Sequence, residues 1–476
     1  MLNYGYPLWC TKRFEGIPVM TTEPDLVLTI AGLAIIAVTV GLLIWGKVSP
    51  VVAMALVPTV GAIVLGFGVG DLQSFFSSGL DQVMNVVVMF IFAIIFFGIL
   101  SDAGLFDPVI RRLILMTRGR VVLVVIGTVL IGALAHLDGA GATTFLLTIP
   151  ALLPLYRALG MNRYLLLLLV SLSAALMNMV PWGGPLIRAA SVIDVEPGEL
   201  YRPLIPLQGV GLLLLIGLAV LLGLREIRRI NAEVGAGTVQ VGGTVNVYEI
   251  ADDFTERQLQ ERKELVNKIN AHPVIYWLNV VVVIAVITTM LAGWLDPAFS
   301  FVLGVAVLLP LNFNSARLQI DRMKAHAPNA LMMASVIIAA AVFLGVLNES
   351  GMLENVALAM LQVIPDSVGQ YLHVIVGALG VPLDMLTSTD AYYFSVLPLV
   401  EATAGQFGVA ATSTAYALLV GNIIGTFVSP FAPAAWLAIG LAEADMGKHI
   451  RYSFGIMWGF SIILLFAAIL LGIVQV

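Results

Sequence analysis

The chain has 476 residues, 60% of them hydrophobic and 11% charged, with a formal net charge of −6 and a mean hydropathy of +1.02. Charged residues make up about a quarter of a soluble domain, so the composition excludes a soluble globular fold and fits a polytopic membrane protein. No basic tract suits nucleic acid, and the single Cys10 excludes an intramolecular disulfide framework or a cysteine zinc site.

Residues 1–24 form a tail without an apolar core. The run from Leu26 to Trp45 is long enough to span and is followed by further spans, so it reads as a retained helix, not a cleaved signal. A spanning helix needs about 20 mainly apolar residues, which predicts spans at 25–46, 50–69, 83–102, 162–193, 204–225, 272–292, 296–312, 327–347, 411–443 and 453–475. Two of these, 162–193 and 411–443, are too long for one straight span. They are interrupted by Pro181-Trp182-Gly183-Gly184-Pro185 and Ser429-Pro430-Phe431-Ala432-Pro433. Proline removes a backbone donor and clashes with the preceding turn, so each should be two half-helices joined by unwound backbone. Residues 120–136 and 144–157 flank a polar, glycine-rich Leu137–Thr144. The second arm, at about 1.5 Å per residue, falls short of a ~30 Å hydrocarbon core, so 120–157 predicts a re-entrant hairpin. Its counterpart is 367–405, with a tip at Leu386–Tyr393. Polar residues 226–271 form the linker, with a charged helix expected over Asp252–Lys268.

The chain also repeats itself. Asp102-Ala103-Gly104-Leu105-Phe106-Asp107 is answered 247 positions later by Glu349-Ser350-Gly351-Met352-Leu353-Glu354, and Phe145 and Arg202 are answered by Phe394 and Arg451 at a spacing of 249. Residues 25–225 and 272–476 are therefore expected to be a duplicated unit of five spans and one hairpin. An odd number of spans inverts the second copy. With the loop after Asp102 placed in the cytoplasm, nineteen of the 23 Lys and Arg fall inside, Lys12, Arg13 and Arg202 fall outside, and Arg188 lies within the membrane. The expected fold is all-α and polytopic, with two inverted five-helix repeats. Paired, Gly/Pro-broken halves point to a secondary transporter with its site between the repeats.

Inverted hairpins would place both tips near the midplane, opposite the helix breaks. Half-helices starting after Pro185 and Pro433, and hairpin arms starting after each tip, aim positive dipole ends at an anion. Thr143, Thr144, Asn178, Ser388, Thr389 and Thr426 offer hydroxyl or amide groups to carboxylate oxygens, and Gly139, Gly141, Gly183, Gly184 and Ser429 add unwound backbone. Ser and Thr in membrane helices are more often packing residues. Asp138 and Asp390, as ligands for a cation or a proton, are stronger candidates, because a buried carboxylate costs roughly 2.5 kcal/mol or more on insertion scales. Arg188 reads either as a side chain snorkelling to the outer interface or as a fork that grips a carboxylate. His136 reads either as a proton relay or as a structural hydrogen-bonded residue. Tyr392 and Tyr393 are expected to shape the pocket wall.

Leu137-Asp138-Gly139-Ala140-Gly141-Ala142-Thr143-Thr144-Phe145, continuing through Ile149-Pro150 to Pro154-Leu155-Tyr156, resembles the first hairpin of the citrate-metal-proton symporter family (CitMHS). Asn178-Met179-Val180-Pro181-Trp182-Gly183-Gly184-Pro185 resembles its first helix break, and Thr389-Asp390-Ala391-Tyr392-Tyr393-Phe394 its second tip. The resemblance covers nearly the whole chain. It implies membership of the ion transporter superfamily, whose dicarboxylate carriers bear Ser-Asn-Thr motifs at the two tips and work as homodimers by moving a transport domain past a scaffold. Here Ser388-Thr389 keeps part of that motif, whereas Gly139-Ala140-Gly141 offers only backbone amides. An acidic residue is common in the family where Ala140 stands.

The resemblance implies import of citrate across the cell membrane as a complex with a divalent metal, Mg or Ca, coupled to protons, with no permanently bound cofactor. Citrate chelates such an ion through its own oxygens, so a protein need add only one or two ligands. The alternative is a cation-coupled carrier of another di- or tricarboxylate or hydroxy acid. A channel is disfavoured because both hairpins look like occluding elements. An intramembrane metal hydrolase is disfavoured by the lack of any His-Glu-x-x-His or Gly-x-Ser-x-Gly segment.

Overall fold

The computed structural model describes residues 24–45, 48–235, 246–261, 273–386 and 389–476, and all regular structure among them is helical. The first half runs α1 (Leu26–Trp45), α2 (Pro50–Val64), α3 (Val69–Asp102), α4 (Asp107–Met116), α5 (Val121–Ala135), a 3₁₀ turn (His136–Asp138), α6 (Gly141–Ala158), α7 (Arg163–Met177), α8 (Gly184–Val192), α9 (Pro197–Tyr201) and α10 (Leu204–Gly235). The linker contributes α11 (Val247–Glu261). The second half runs α12 (Pro273–Leu291), α13 (Pro297–Asn312), α14 (Ala316–Glu349), α15 (Met352–Leu361), α16 (Asp366–Gly369), α17 (Leu372–Ala378), α18 (Gly380–Leu386) and α19 (Thr389–Ala391). A π-helical turn (Tyr392–Val396), α20 (Leu397–Gln406), α21 (Ala411–Ile423), α22 (Pro433–Leu441) and α23 (Met446–Leu470) complete it. Among the described residues six helical segments are long and apolar enough to cross a bilayer: α3, α5 with its 3₁₀ turn, α10, α12, α14 and α23.

Local sequence explains where these helices start. Ser49, Ser315, Asp296 and Asp445 each accept a hydrogen bond from a first-turn amide of α2, α14, α13 and α23, which satisfies a donor the helix leaves free. The 50–69 span ends early, at Val64, because Gly66 takes a left-handed φ of 93° that no helix continues through. The first arm of the second hairpin is divided, α17 passing to α18 at Leu379. The charged linker helix lies over 247–261, and residues 262–268 fall outside the described residues.

The halves match in helix length: α3 and α14 have 34 residues each, α4 and α15 have 10, α8 and α22 have nine. Packing is reciprocal as well. α3 lies along α14, while α3 packs on α13 of the other half and α14 packs on α2.

Two cores result. One gathers residues of α3, α12, α13 and α14, with Phe96 and Phe301 edge to face at 5.5 Å. The other is centred on α7, where every residue from Leu165 to Leu176 is buried, and on its counterpart α21. Lipid tails are as apolar as leucine, so such burial reflects dense van der Waals packing between helices and not expulsion of water. In contrast α12 turns Val274, Trp277, Val281 and Ile284 outward, as a bilayer-facing helix does.

The linker helix α11 packs on α4 and α6, burying Val247, Ala251 and Phe254. Arg111 pairs with Asp252 at 2.6 Å. Arg257 donates to the Pro150 carbonyl at 3.0 Å, the acceptor that Pro154, having no N–H, leaves unused within α6.

Candidate functional site

The first tip is turned in on itself. Gly139 adopts a φ of 70°, and a Cβ there would stand 3.2 Å from the Trp182 carbonyl oxygen, so only glycine fits both the backbone and the space. Trp182 in turn donates its indole N–H to the Leu137 carbonyl at 2.6 Å, tying the tip to the first helix break. Asp138 Oδ1 accepts the Ala140 N–H at 2.9 Å, with the Thr143 hydroxyl alongside. The Thr144 hydroxyl donates to the Ala140 carbonyl at 2.9 Å and lies 2.7 Å from His136 Nδ1. Thr144 is thereby used inside the hairpin and presents no free hydroxyl to a substrate. Among the described residues His136 Nε2 and Asn178 Oδ1 are buried without a hydrogen bond, with the Asn178 side chain beside the His136 ring. Gly141 packs against Phe427 and Ala434 of the second helix break, and a Cβ on Gly183 would overlap the Asn178 carbonyl.

The second tip carries more charge. Asp384, fully buried at the end of α18, accepts from Thr389 Oγ1 at 3.2 Å and from Asn422 Nδ2 at 3.1 Å through Oδ1. Among the described residues its Oδ2 and Asn422 Oδ1 are buried with no partner. Ser429 donates its hydroxyl to the Asp384 carbonyl at 2.7 Å. Arg188, on α8 of the other half, points Nε and a terminal nitrogen at one oxygen, Asp390 Oδ1, at 2.8 and 2.7 Å. With 9% of its side chain exposed it is turned inward and does not snorkel. A Cβ on Gly184 would stand 2.6 Å from its other terminal nitrogen, so the bare helix start makes room for the guanidinium. Tyr392 and Tyr393 are buried, edge to face, with the Tyr392 hydroxyl donating to the Leu418 carbonyl at 3.3 Å. Thr426 donates to the Ile423 carbonyl at 2.9 Å. Ser388 lies outside the described residues.

The two tips share a framework. Asp138 and Thr143 stand five residues apart, as Asp384 and Thr389 do, and Asn178 and Asn422 come from the matching helices that precede the two breaks. Sequence reasoning paired Asp138 with Asp390 and missed Asp384. The shared Asp-x4-Thr spacing was the signal that identifies it. The halves interlock here, with α8 packed on α21 and the π turn, and α22 packed on α6. A separate cleft of about 590 Å³, lined by Arg157, Asn162, Arg163, Tyr164, Arg229 and Glu443, contains none of these residues.

Comparison with known proteins is consistent from end to end. A family model described as citrate transporter matches residues 40–421. A citrate transporter of Bacillus subtilis (strain 168) is 31% identical over 448 residues, covering 94% of this chain and 100% of that protein. A Mg(2+)/citrate complex secondary transporter of the same organism is 31% identical over 444 residues, covering 93% and 98%. Among solved structures, the Alcanivorax borkumensis YdaH transporter has a TM-score of 0.52 at 18% identity, covering 95% of this chain and 99% of that one, which shows a shared fold.

Proposed function

Because the chain belongs to the citrate transporter family, we propose that it imports citrate across the cell membrane as a complex with Mg or Ca, together with protons, by alternating access and as a homodimer. The observation that carries this reading is the buried pair of Arg188 and Asp390. Two guanidinium donors converge on one carboxylate oxygen, so a carboxylate already occupies the grip that a substrate carboxylate would need. A citrate carboxylate entering the site would take over the guanidinium and release Asp390. The freed Asp390 and the unpartnered Asp384 Oδ2 would then supply the one or two oxygen ligands that a citrate-chelated ion still lacks, or a place for a proton. Asp138 would serve the same purpose at the first tip, and the N-termini of α8 and α22 would favour the anion.

The test is uptake of labelled citrate into proteoliposomes, with and without Mg or Ca, under a pH or a sodium gradient. Uptake that requires the divalent ion and follows the pH gradient supports the reading. Metal-independent uptake, or stronger uptake of a different carboxylate, would replace citrate–metal with the alternative cargo.

A further inference from the structure

The duplicated motif that ends α3 and α14 places two carboxylates, Asp102 and Glu349, at opposite ends of the crossing of these helices. At the 247-residue offset Gly79 answers to His326 and Gly98 to Gly345. At one end Gly79 and Gly345 meet backbone to backbone, and a Cβ on either would collide with the carbonyl of Ala341 or Phe75. At the other end the same geometry lays the His326 ring on Gly98, where a Cβ would stand 2.5 Å from Nδ1. The glycine contact shows that this crossing closes without an imidazole, so packing alone does not explain His326.

What the ring touches is chemical. Its Nε2 lies 2.9 Å from Asp102 Oδ2, and an Arg322 nitrogen lies 3.9 Å from the same oxygen. All three side chains are about a fifth exposed, at 21%, 17% and 24%. Among the described residues the matching Glu349 takes only the Ser78 hydroxyl, at 2.7 Å. The charged or titratable groups facing His326 are Asp102 from α3, Arg322 from α14 itself and, within electrostatic range, Asp138 from the 3₁₀ turn, which packs on α3. α2 and α13, which also pack on these helices, carry no charged residue.

We propose that His326, held by Asp102 and Arg322, is a proton-release site on the face that the basic residues mark as cytoplasmic. The inference rests on the proton-coupled reading above. Imidazole is the side chain whose ordinary titration falls between pH 5 and 8. A proton on the ring makes an imidazolium facing the Asp102 carboxylate, and its loss to cytoplasmic water restores the neutral ring with nothing else consumed.

The experiment is uptake of labelled Mg-citrate into right-side-out membrane vesicles at fixed external pH, with lumenal pH varied from about 5.5 to about 8. Wild-type uptake should fall as the lumen is acidified. His326→Gln should flatten that response at least about threefold while the external-pH response persists. Asp102→Asn should move the midpoint to lower pH, because a neutral partner no longer holds the imidazolium. Glu349→Gln, at the opposite crossing, should keep the wild-type profile. If His326→Gln fails to fold, the direction of the Asp102→Asn shift decides. Superposable lumenal-pH profiles for wild type, His326→Gln and Asp102→Asn in a proton-driven transporter overturn this inference alone. A wild type that ignores the pH gradient overturns the proton-coupled reading and this inference with it.

Discussion

The two hairpin tips are built on one frame and face different things. Asp138, Thr143 and Asn178 at the first correspond to Asp384, Thr389 and Asn422 at the second, yet the first tip bonds to its own amides and to His136, while the second meets Arg188 from the other half. At the 249-residue offset that relates α8 to α22, Arg188 is answered by Leu437, and at the 246-residue offset that relates Asp138 and Thr143 to Asp384 and Thr389, Asp390 is answered by Thr144. Neither charge of the pair has a counterpart. A buried charge without a partner costs several kcal/mol, so the cation and the carboxylate are tolerable only together. The comparison teaches that two matching frames each bury an aspartate, and that one ion pair without a counterpart sets the second apart from the first.

The comparison breaks most visibly at Asp390. Asp390→Asn leaves Arg188 buried and uncompensated, at a cost of about 3 kcal/mol, and should lower the initial rate of citrate uptake by roughly 100-fold. Asp138→Asn should retain more activity. Equal losses at the two tips would erase the distinction drawn between them. A smaller effect is expected from Arg188→Lys, which keeps the charge and loses the planar fork. Apparent citrate affinity should weaken about tenfold, or about 1.4 kcal/mol, and an unchanged affinity would remove Arg188 from the site. The smallest effect belongs to the first tip. Gly139→Ala forces a side chain into a left-handed backbone against the Trp182 carbonyl. It should cost about 1 kcal/mol, read as a lower thermal midpoint of the purified protein, with citrate affinity nearly unaltered. A large loss of affinity instead would mean that the first tip, too, grips substrate.

Much of this was legible in the sequence for identifiable reasons. Proline leaves an unambiguous mark, so the interruptions at Pro181–Pro185 and Pro430–Pro433 announced where α7 and α21 give way to α8 and α22. Arg188 stood out as a basic residue without a loop to occupy. Its partner was not legible, since Arg188 and Asp390 are 202 residues apart and meet only through packing. Asp384 was hidden for a different reason. It sits in a short helix among Val381, Pro382, Leu383, Met385 and Leu386, where no polar neighbour draws the eye, and only comparison with Asp138 and Thr143 exposes its spacing. The bond of Thr144 to His136 was not legible either, because a free hydroxyl and one already bonded look the same on paper.

The hold of α11 on Pro150 makes the halves unequal as separate gene products. If the protein were expressed as two fragments, a cut within 236–245 would hand the linker helix to the second fragment and leave α6 with its exposed carbonyl until reassembly. A cut within 262–272 would keep that helix covalently attached to the half it covers. The seam between the two halves thus lies after the linker helix, not before it.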